Sequence, residues 1–319
     1  KSKKFFIKDY HTSNNLSQLK EKFNYIVSLL IKRKFKKNDR VLIVSKNRTE
    51  IFLIQFAVSY LGGVSSTVDE DLKYNAYNYI FNDLRPKILF IDQNSIIKRI
   101  NIFKNCEKIF FQDLKFKKKK LEKNNIKRNK NDLVIIIYTS GTTGNPKGIM
   151  CSHQNIIFSI YSIQSSLKYN SEDRIAVFLP LSFDYGMYQV FMGLAKGSKI
   201  FLAKINEISF NYLNFIKKNS ITILPLVSSH LRILLTQLRN KKINLKLRLI
   251  TNTGSELRND LVRIFFHLYR NVKVYSMYGL TECKRVSILD PKKYFKKHNS
   301  VGKPIKGTKC WIIDKKGKK

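Results

Sequence analysis

Leu133-Val134-Ile135-Ile136-Ile137 runs directly into Tyr138-Thr139-Ser140-Gly141-Thr142-Thr143-Gly144-Asn145-Pro146-Lys147-Gly148. The unbroken aliphatic run predicts a strand buried on both faces. The twelve residues from Ile137 then place four Ser/Thr hydroxyls, three glycines and one lysine between that strand and a predicted helix. Glycine allows positive φ and close backbone approach, hydroxyls and N–H groups donate to oxygens, and Lys147 supplies charge, so the loop suits a polyphosphate. The following helix adds its dipole only if its N-terminus points at the ligand. A Walker loop is excluded, because GxxxxGK[ST] requires Gly at Pro146 and Ser or Thr at Gly148. A solvated surface loop is the plainer reading, but the length of the run and the buried-type strand before it argue against that.

Outward from this loop, short β-branched runs alternate with segments of helical period, the pattern of βαβ units and a largely parallel sheet. Strands are predicted at Val41–Val44, Lys87–Ile91, Lys108–Phe111, Leu133–Ile137, Arg174–Leu179, Ser198–Leu202, Ile221–Leu224, Leu247–Thr251, Val272–Tyr275 and Cys310–Ile313. Helices are predicted at Ile51–Leu61, Asn155–Leu167, Tyr188–Ala195, Ser228–Leu238 and Leu257–Tyr269. In the last, Leu257, Leu261, Ile264, Phe265 and Leu268 share one face. Lys115–Lys130 breaks the alternation with nine Lys/Arg and one acid. It reads as a basic linker (115–130) between an N-terminal α/β part (1–114) and a second part carrying the loop (131–319).

The 319 residues carry 61 Lys+Arg against 22 Asp+Glu, a formal net charge of +39. Such an excess raises nucleic acid or an anionic membrane surface as partners. The lysines, however, are spread through the chain as AT-rich coding would place them, although the scarcity of Glu shows that coding bias is not the whole cause. A solvated basic surface is preferred over polyanion binding, and the excess falls outside every motif below. With 43% hydrophobic residues the chain can build a core, which excludes disorder for its bulk. Cys106, Cys151, Cys283 and Cys310 form no CxxC pair and no HExxH occurs, so a reduced, cytoplasmic chain without structural zinc is expected. No apolar run approaches the ~18 residues of a membrane span.

The run Tyr138–Gly148 resembles the signature loop of the adenylate-forming superfamily: acyl-CoA synthetases, amino-acid-adenylating domains and luciferases. Four further segments resemble the family's motifs in the family's order. They are Leu179-Pro180-Leu181-Ser182-Phe183-Asp184-Tyr185-Gly186, Asn252-Thr253-Gly254-Ser255-Glu256-Leu257, Tyr278-Gly279-Leu280-Thr281-Glu282 and Val301-Gly302-Lys303-Pro304-Ile305. Asp39–Leu61 with Gly62-Gly63-Val64 fits the family's first region, so the resemblance spans about residues 39–314. It implies the large N-terminal α/β domain of that fold, with mostly parallel sheets sandwiched by helices.

The resemblance further implies an ATP-dependent ligase that activates a carboxylic acid as an acyl-adenylate, releases pyrophosphate, and passes the acyl group to a thiol. The co-substrate would be coenzyme A or the phosphopantetheine of an acyl-carrier protein. By the same resemblance Thr139, Ser140, Gly141, Thr142, Thr143 and Gly144 with Lys147 hold the β/γ-phosphates. Gly254, Ser255 and Glu256 border the adenine, and Tyr278 stacks on it. Thr281 donates to the α-phosphate and Glu282 holds Mg²⁺. Asp184 lies in the register where amino-acid-activating members pair an Asp with the substrate ammonium, so an amino acid is the alternative substrate. Some acyl-activating members also read Phe-Asp-Tyr-Gly here. His230 is read as a half-buried helix residue that could line the same pocket, and His153 is given no chemistry. The ribose-binding acid, hinge and lid lysine of the family are not matched. Asp314 comes too early, and Lys318 and Lys319 are poor candidates for the lysine, so weak catalysis by these residues alone, or a binding module, is a further alternative.

Overall fold

The computed structural model describes residues 5–95, 106–139, 145–204, 207–239, 241–297 and 299–318. In chain order the elements begin with β1 (Phe6–Lys8), β2 (Ser13–Asn15), α1 (Leu16–Lys32), β3 (Arg40–Val44), α2 (Thr49–Tyr60), β4 (Val64–Val68), α3 (Tyr74–Leu84), β5 (Ile88–Ile91) and β6 (Glu107–Phe110). β7 (Leu133–Thr139), β8 (Lys147–Ser152), α4 (His153–Leu167), β9 (Arg174–Val177), α5 (Asp184–Lys196), β10 (Lys199–Leu202), α6 (Glu207–Lys218) and β11 (Ile223–Leu226) follow. The chain then adds α7 (Ser228–Leu238), β12 (Leu249–Asn252), α8 (Asn259–Leu268), β13 (Lys273–Tyr278), β14 (Ser287–Ile288) and β15 (Lys303–Pro304).

Two mostly parallel sheets result. One has six strands in the order β6-β5-β3-β4-β7-β8, and the other nine in the order β15-β14-β13-β12-β11-β9-β10-β1-β2. In β3 the residues alternate between two cores. Val41 and Ile43 face the helices between the sheets, while Leu42 and Val44 meet Tyr77, Ile80 and Leu84 of α3 on the outer face. Helix α2 explains the middle layer. It is apolar all round, Ile51, Ile54, Ala57 and Val58 are almost fully buried, and they join Ile175, Val177 and Ile200 of the second sheet in one core. The far face of the second sheet is covered by α6, α7 and α8 through Tyr212, Leu231, Leu234 and Phe265. The architecture is α/β, with mostly parallel sheets flanked by helices, as the resemblance implies.

The sheets cut across the division expected at the basic stretch. β7 and β8, which follow it, complete the first sheet, whereas β1 and β2, which precede it, form the edge of the second, with Ile7 opposite Ile200. Hydrogen bonding decided this where charge could not. Nor does the basic stretch hang free. Asn24 donates to the Lys119 carbonyl at 3.0 Å, Asn124 donates to that of Tyr60 at 2.7 Å, and Phe116 packs edge-on against Tyr25. Its backbone is strapped to α1 and α2 while its lysines face solvent. Cys310–Ile313 forms no strand; Ile312 is 94% exposed and has no neighbouring strand among the described residues.

Candidate active site

The loop after β7 does not lead into a helix. β7 and β8 pair antiparallel with Thr139 opposite Lys147, and α4 begins only at His153, after β8. The dipole of α4 therefore lies a strand's length from the loop. Ser140, Gly141, Thr142, Thr143 and Gly144 fall outside the described residues. Of their flanks, Thr139 is half-buried and Lys147 exposed. Thr139, Tyr138, Asn145 and Pro146 form one wall of a cavity of about 430 Å³, and Ser182 and Phe183 contribute to its lining. The end of β7 is fixed from outside by the Tyr138 hydroxyl, which donates to Asp83 of α3 at 2.5 Å.

Phe183 connects this cavity to the second motif. Gly254 sits at φ +83° in the turn after β12, where a side chain would be strained, and a Cβ there would lie 4.0 Å from the Phe183 ring. Gly254, Ser255 and Glu256 are all exposed. Gly186, in the first turn of α5, is required by close approach, since a Cβ would stand 2.3 Å from the Pro180 carbonyl oxygen. That turn is locked at both ends. The Tyr185 hydroxyl donates to the Thr251 carbonyl of β12 at 2.7 Å, and the Asn47 carboxamide accepts from the Leu181 N–H at 2.8 Å while donating to Leu179 O at 3.0 Å. Asp184 is thereby held at the start of α5, only 5% exposed.

The fourth motif is the hairpin between β13 and β14. Val286 N–H donates to Tyr278 O at 2.9 Å to close it, and Gly279 lies so close to Lys284 that a Cβ would meet the Lys284 carbonyl oxygen at 1.9 Å. Lys284 itself has φ +61° and is buried, its ammonium donating to Thr281 O at 2.7 Å. This tight turn sorts its side chains. Tyr278 (44% exposed) and Glu282 face solvent, whereas Thr281 and Arg285 turn inward.

All four motifs lie at the C-terminal ends of parallel strands, where ligand sites of open α/β sheets form. Thr139, Asp184, Gly254, Tyr278, Thr281 and Glu282 thus come from four strand ends. His230 lies in the first turn of α7, directly after β11. Its ring packs edge-on to Tyr212 of α6, 6.1 Å between centroids, and burial pushes its pKa down to about 4. His153 stands at the first turn of α4, beside Arg128 and Asp132 of the basic strap, and burial lowers its pKa.

Sequence reasoning missed Arg285. It is buried, donates from Nη1 to Thr253 Oγ1 at 2.6 Å, and lies 5.3 Å from the Tyr185 ring. Its only signal was Lys284-Arg285 directly after Tyr278–Glu282, two cations at a turn whose other end was already assigned. Burial raises the Asp184 pKa despite attraction from Arg285 and Lys284, and burial lowers that of Arg285 despite Asp184. Asp184 forms no salt bridge among the described residues.

Glu282 fits a magnesium ion of the kind bound to a nucleotide. It offers an exposed carboxylate at the hairpin tip, and Mg²⁺ usually takes one or two carboxylates plus phosphate oxygens and waters. Among the described residues no group of three or more His, Cys, Asp and Glu forms a self-sufficient metal cage. No helix among them is long and apolar enough to cross a membrane.

Comparison with known proteins agrees with this geometry. Gramicidin S synthase 1 of Brevibacillus brevis is 25% identical over 300 residues, covering 93% of this chain and 27% of that protein. Bacitracin synthase 3 of Bacillus licheniformis is 26% identical over 305 residues, 93% of this chain and 5% of that one. The chain thus spans about a quarter or less of these relatives. Among solved structures, VinN superposes with a TM-score of 0.90 at 23% identity, covering 99% of this chain and 80% of that one. The o-succinylbenzoate CoA synthetase of Bacillus subtilis, solved with an acyl-adenylate, gives 0.85 at 22%, covering 99% and 64%. The sequence pattern of the AMP-binding enzymes matches residues 2–319, and the chain belongs to that family, the adenylate-forming ligases.

Proposed function

We propose that the protein condenses an amino acid with ATP to form an aminoacyl-adenylate and then transfers the acyl group to a thiol. The observation that carries the choice of substrate is Asp184, a buried carboxylate without a salt bridge. An ionised carboxylate kept from water is costly unless a cation pairs with it, and a substrate ammonium would be that cation. The amino-acid-activating synthases among the relatives support this reading, as does the VinN structure solved with L-aspartate.

In the first step an oxygen of the substrate carboxylate attacks the α-phosphorus of ATP, the bond from that phosphorus to the bridging oxygen breaks, and pyrophosphate leaves. In the second a thiolate attacks the acyl carbon and AMP departs. The chain's part is positioning and charge neutralisation. Thr139, Ser140, Gly141, Thr142, Thr143 and Gly144, with Lys147, would receive the β- and γ-phosphates. The exposed face of Tyr278 would take the adenine beside Gly254, Ser255 and Glu256. The Thr281 hydroxyl would donate to the α-phosphate, and Glu282 would hold Mg²⁺, which supplies charge neutralisation of the phosphates. The acceptor is the phosphopantetheine thiol of a carrier protein, as the synthase relatives favour, with coenzyme A as the competing acceptor. Four free cysteines accord with a reducing cytoplasm.

Amino-acid-dependent exchange of labelled pyrophosphate into ATP by the full-length protein tests this. Asp184→Ala should abolish exchange with amino acids. Equal exchange by that variant, or exchange only with acids lacking an amine, overturns the amino-acid reading.

A further inference from the structure

The same strand ends hold a second uncompensated charge. Arg285 is 6% exposed, so its guanidinium is withdrawn from water as thoroughly as the Asp184 carboxylate. An arginine has five N–H donors. One reaches Thr253 Oγ1, itself 2% exposed, and Nε is buried with no hydrogen-bond partner among the described residues. The obvious counter-ion, Asp184, stands beyond ion-pairing distance, 4.0 Å, although the two attract one another. The Lys284 ammonium, which donates to the Thr281 carbonyl at 2.7 Å, attracts Asp184 as well but forms no ion pair with it. A buried cation and a buried anion, close but apart, cost free energy that a direct pair would offset. Such an arrangement persists where a bound molecule of matching charge separation completes it.

We propose that Arg285, with Thr253, binds a second carboxylate of the substrate, so that the acid activated is an amino dicarboxylic acid: ammonium at Asp184, one carboxylate at Arg285, the other presented to ATP. The inference rests on the amino-acid reading above and narrows it. A planar guanidinium favours a carboxylate over an amide because both oxygens accept, whereas the NH₂ of an amide would confront donors with a donor. Arg285 is accordingly a specificity-determining residue. It acts on which acid enters, not on the phosphorus.

The test is pyrophosphate exchange by the full-length protein with aspartate and glutamate set against asparagine, glutamine, alanine and leucine. The acids should exceed their own amides by at least about 10-fold, the factor expected for losing one charge-assisted hydrogen bond. Arg285→Gln should erase that preference. Calorimetric binding of aspartyl- and asparaginyl-sulfamoyl adenosine to the wild-type protein measures the same discrimination without turnover and without a variant that could misfold. Preference for a neutral amino acid in the wild type, or an acid-to-amide ratio unchanged in a folded Arg285→Gln variant, overturns the proposal and leaves the amino-acid reading standing. Exchange only with acids lacking an amine overturns both.

Discussion

Asn47 lies in the loop between β3 and α2, far in sequence from every motif, yet its side chain holds the Leu179–Asp184 segment in place. The carboxamide donates to Leu179 O at 3.0 Å and, more weakly, to Ala203 O at 3.3 Å and Val177 O at 3.5 Å, and it accepts from Leu181 N at 2.8 Å. In Asn47→Ala the two short bonds are lost at roughly 1 kcal/mol each, and the Leu181 N–H loses its acceptor in a partly buried place, so destabilisation of about 2–3 kcal/mol is expected. The two long contacts add little. Asn47→Asp separates bonding from bulk: it turns a carboxylate oxygen toward three carbonyl oxygens and should be worse than Ala. Urea unfolding gives the stabilities, and pyrophosphate exchange gives the coupling to the site, with KM for the acid expected to rise more than kcat falls. A loss below about 0.5 kcal/mol for Asn47→Ala, or an Asp variant as stable as wild type, would refute the view that this side chain fixes the segment.

Three further outcomes follow from the same geometry. Gly279→Ala drives a Cβ into the Lys284 carbonyl, displacing the hairpin that carries Thr281, Glu282 and Arg285; exchange should fall by at least about 100-fold, given the ~1 Å sensitivity of positioned groups, while circular dichroism stays native. Tyr138→Phe removes the hydrogen bond to Asp83 at 2.5 Å and should cost about 1–2 kcal/mol in urea, with protease sensitivity increased between β7 and β8. His230 has a folded pKa of about 4, below its ordinary 6.5, so the unfolded chain binds more protons between those values. Stability should therefore decline as pH drops from about 6.5 toward 4, and His230→Phe should flatten that limb; an unchanged slope would show that His230 is not its source.

The alternation of buried runs with amphipathic segments was legible because it reflects burial, which side chains report directly. Ser228–Leu238 coincides with α7, and β3, β5, β6, β7, β9, β10, β11, β12 and β13 were found to within a few residues. What failed is what depends on partners. Ser13–Asn15 is polar and becomes a strand only because β1 lies beside it, and Val64–Val68, with Ser65-Ser66-Thr67 at its centre, is buried throughout by neighbours the sequence does not name. Lys147–Ser152 was read as leading into a helix because its pairing with β7 is a tertiary fact. α1 and α3 were missed although Leu19, Ile26, Val27 and Leu30 line one buried face of the first, and Tyr77, Ile80 and Leu84 that of the second. Arg285, which no motif carries, was not singled out. A lysine–arginine pair in a strongly basic chain is unremarkable until burial singles it out.

The placement of β1 has a consequence in time. Its partner β10 is made almost two hundred residues later, Ile7 pairing with Ile200. At the usual ~5–20 residues per second, an emerging chain would carry the apolar strand Phe6-Ile7 without this parallel partner for on the order of 10–40 s. The second sheet cannot close its edge before then, and such long-range closure is intrinsically slow. During synthesis, then, Phe6–Lys8 waits longer for its parallel partner than any other strand of that sheet, and it is the segment that a chaperone would have reason to hold.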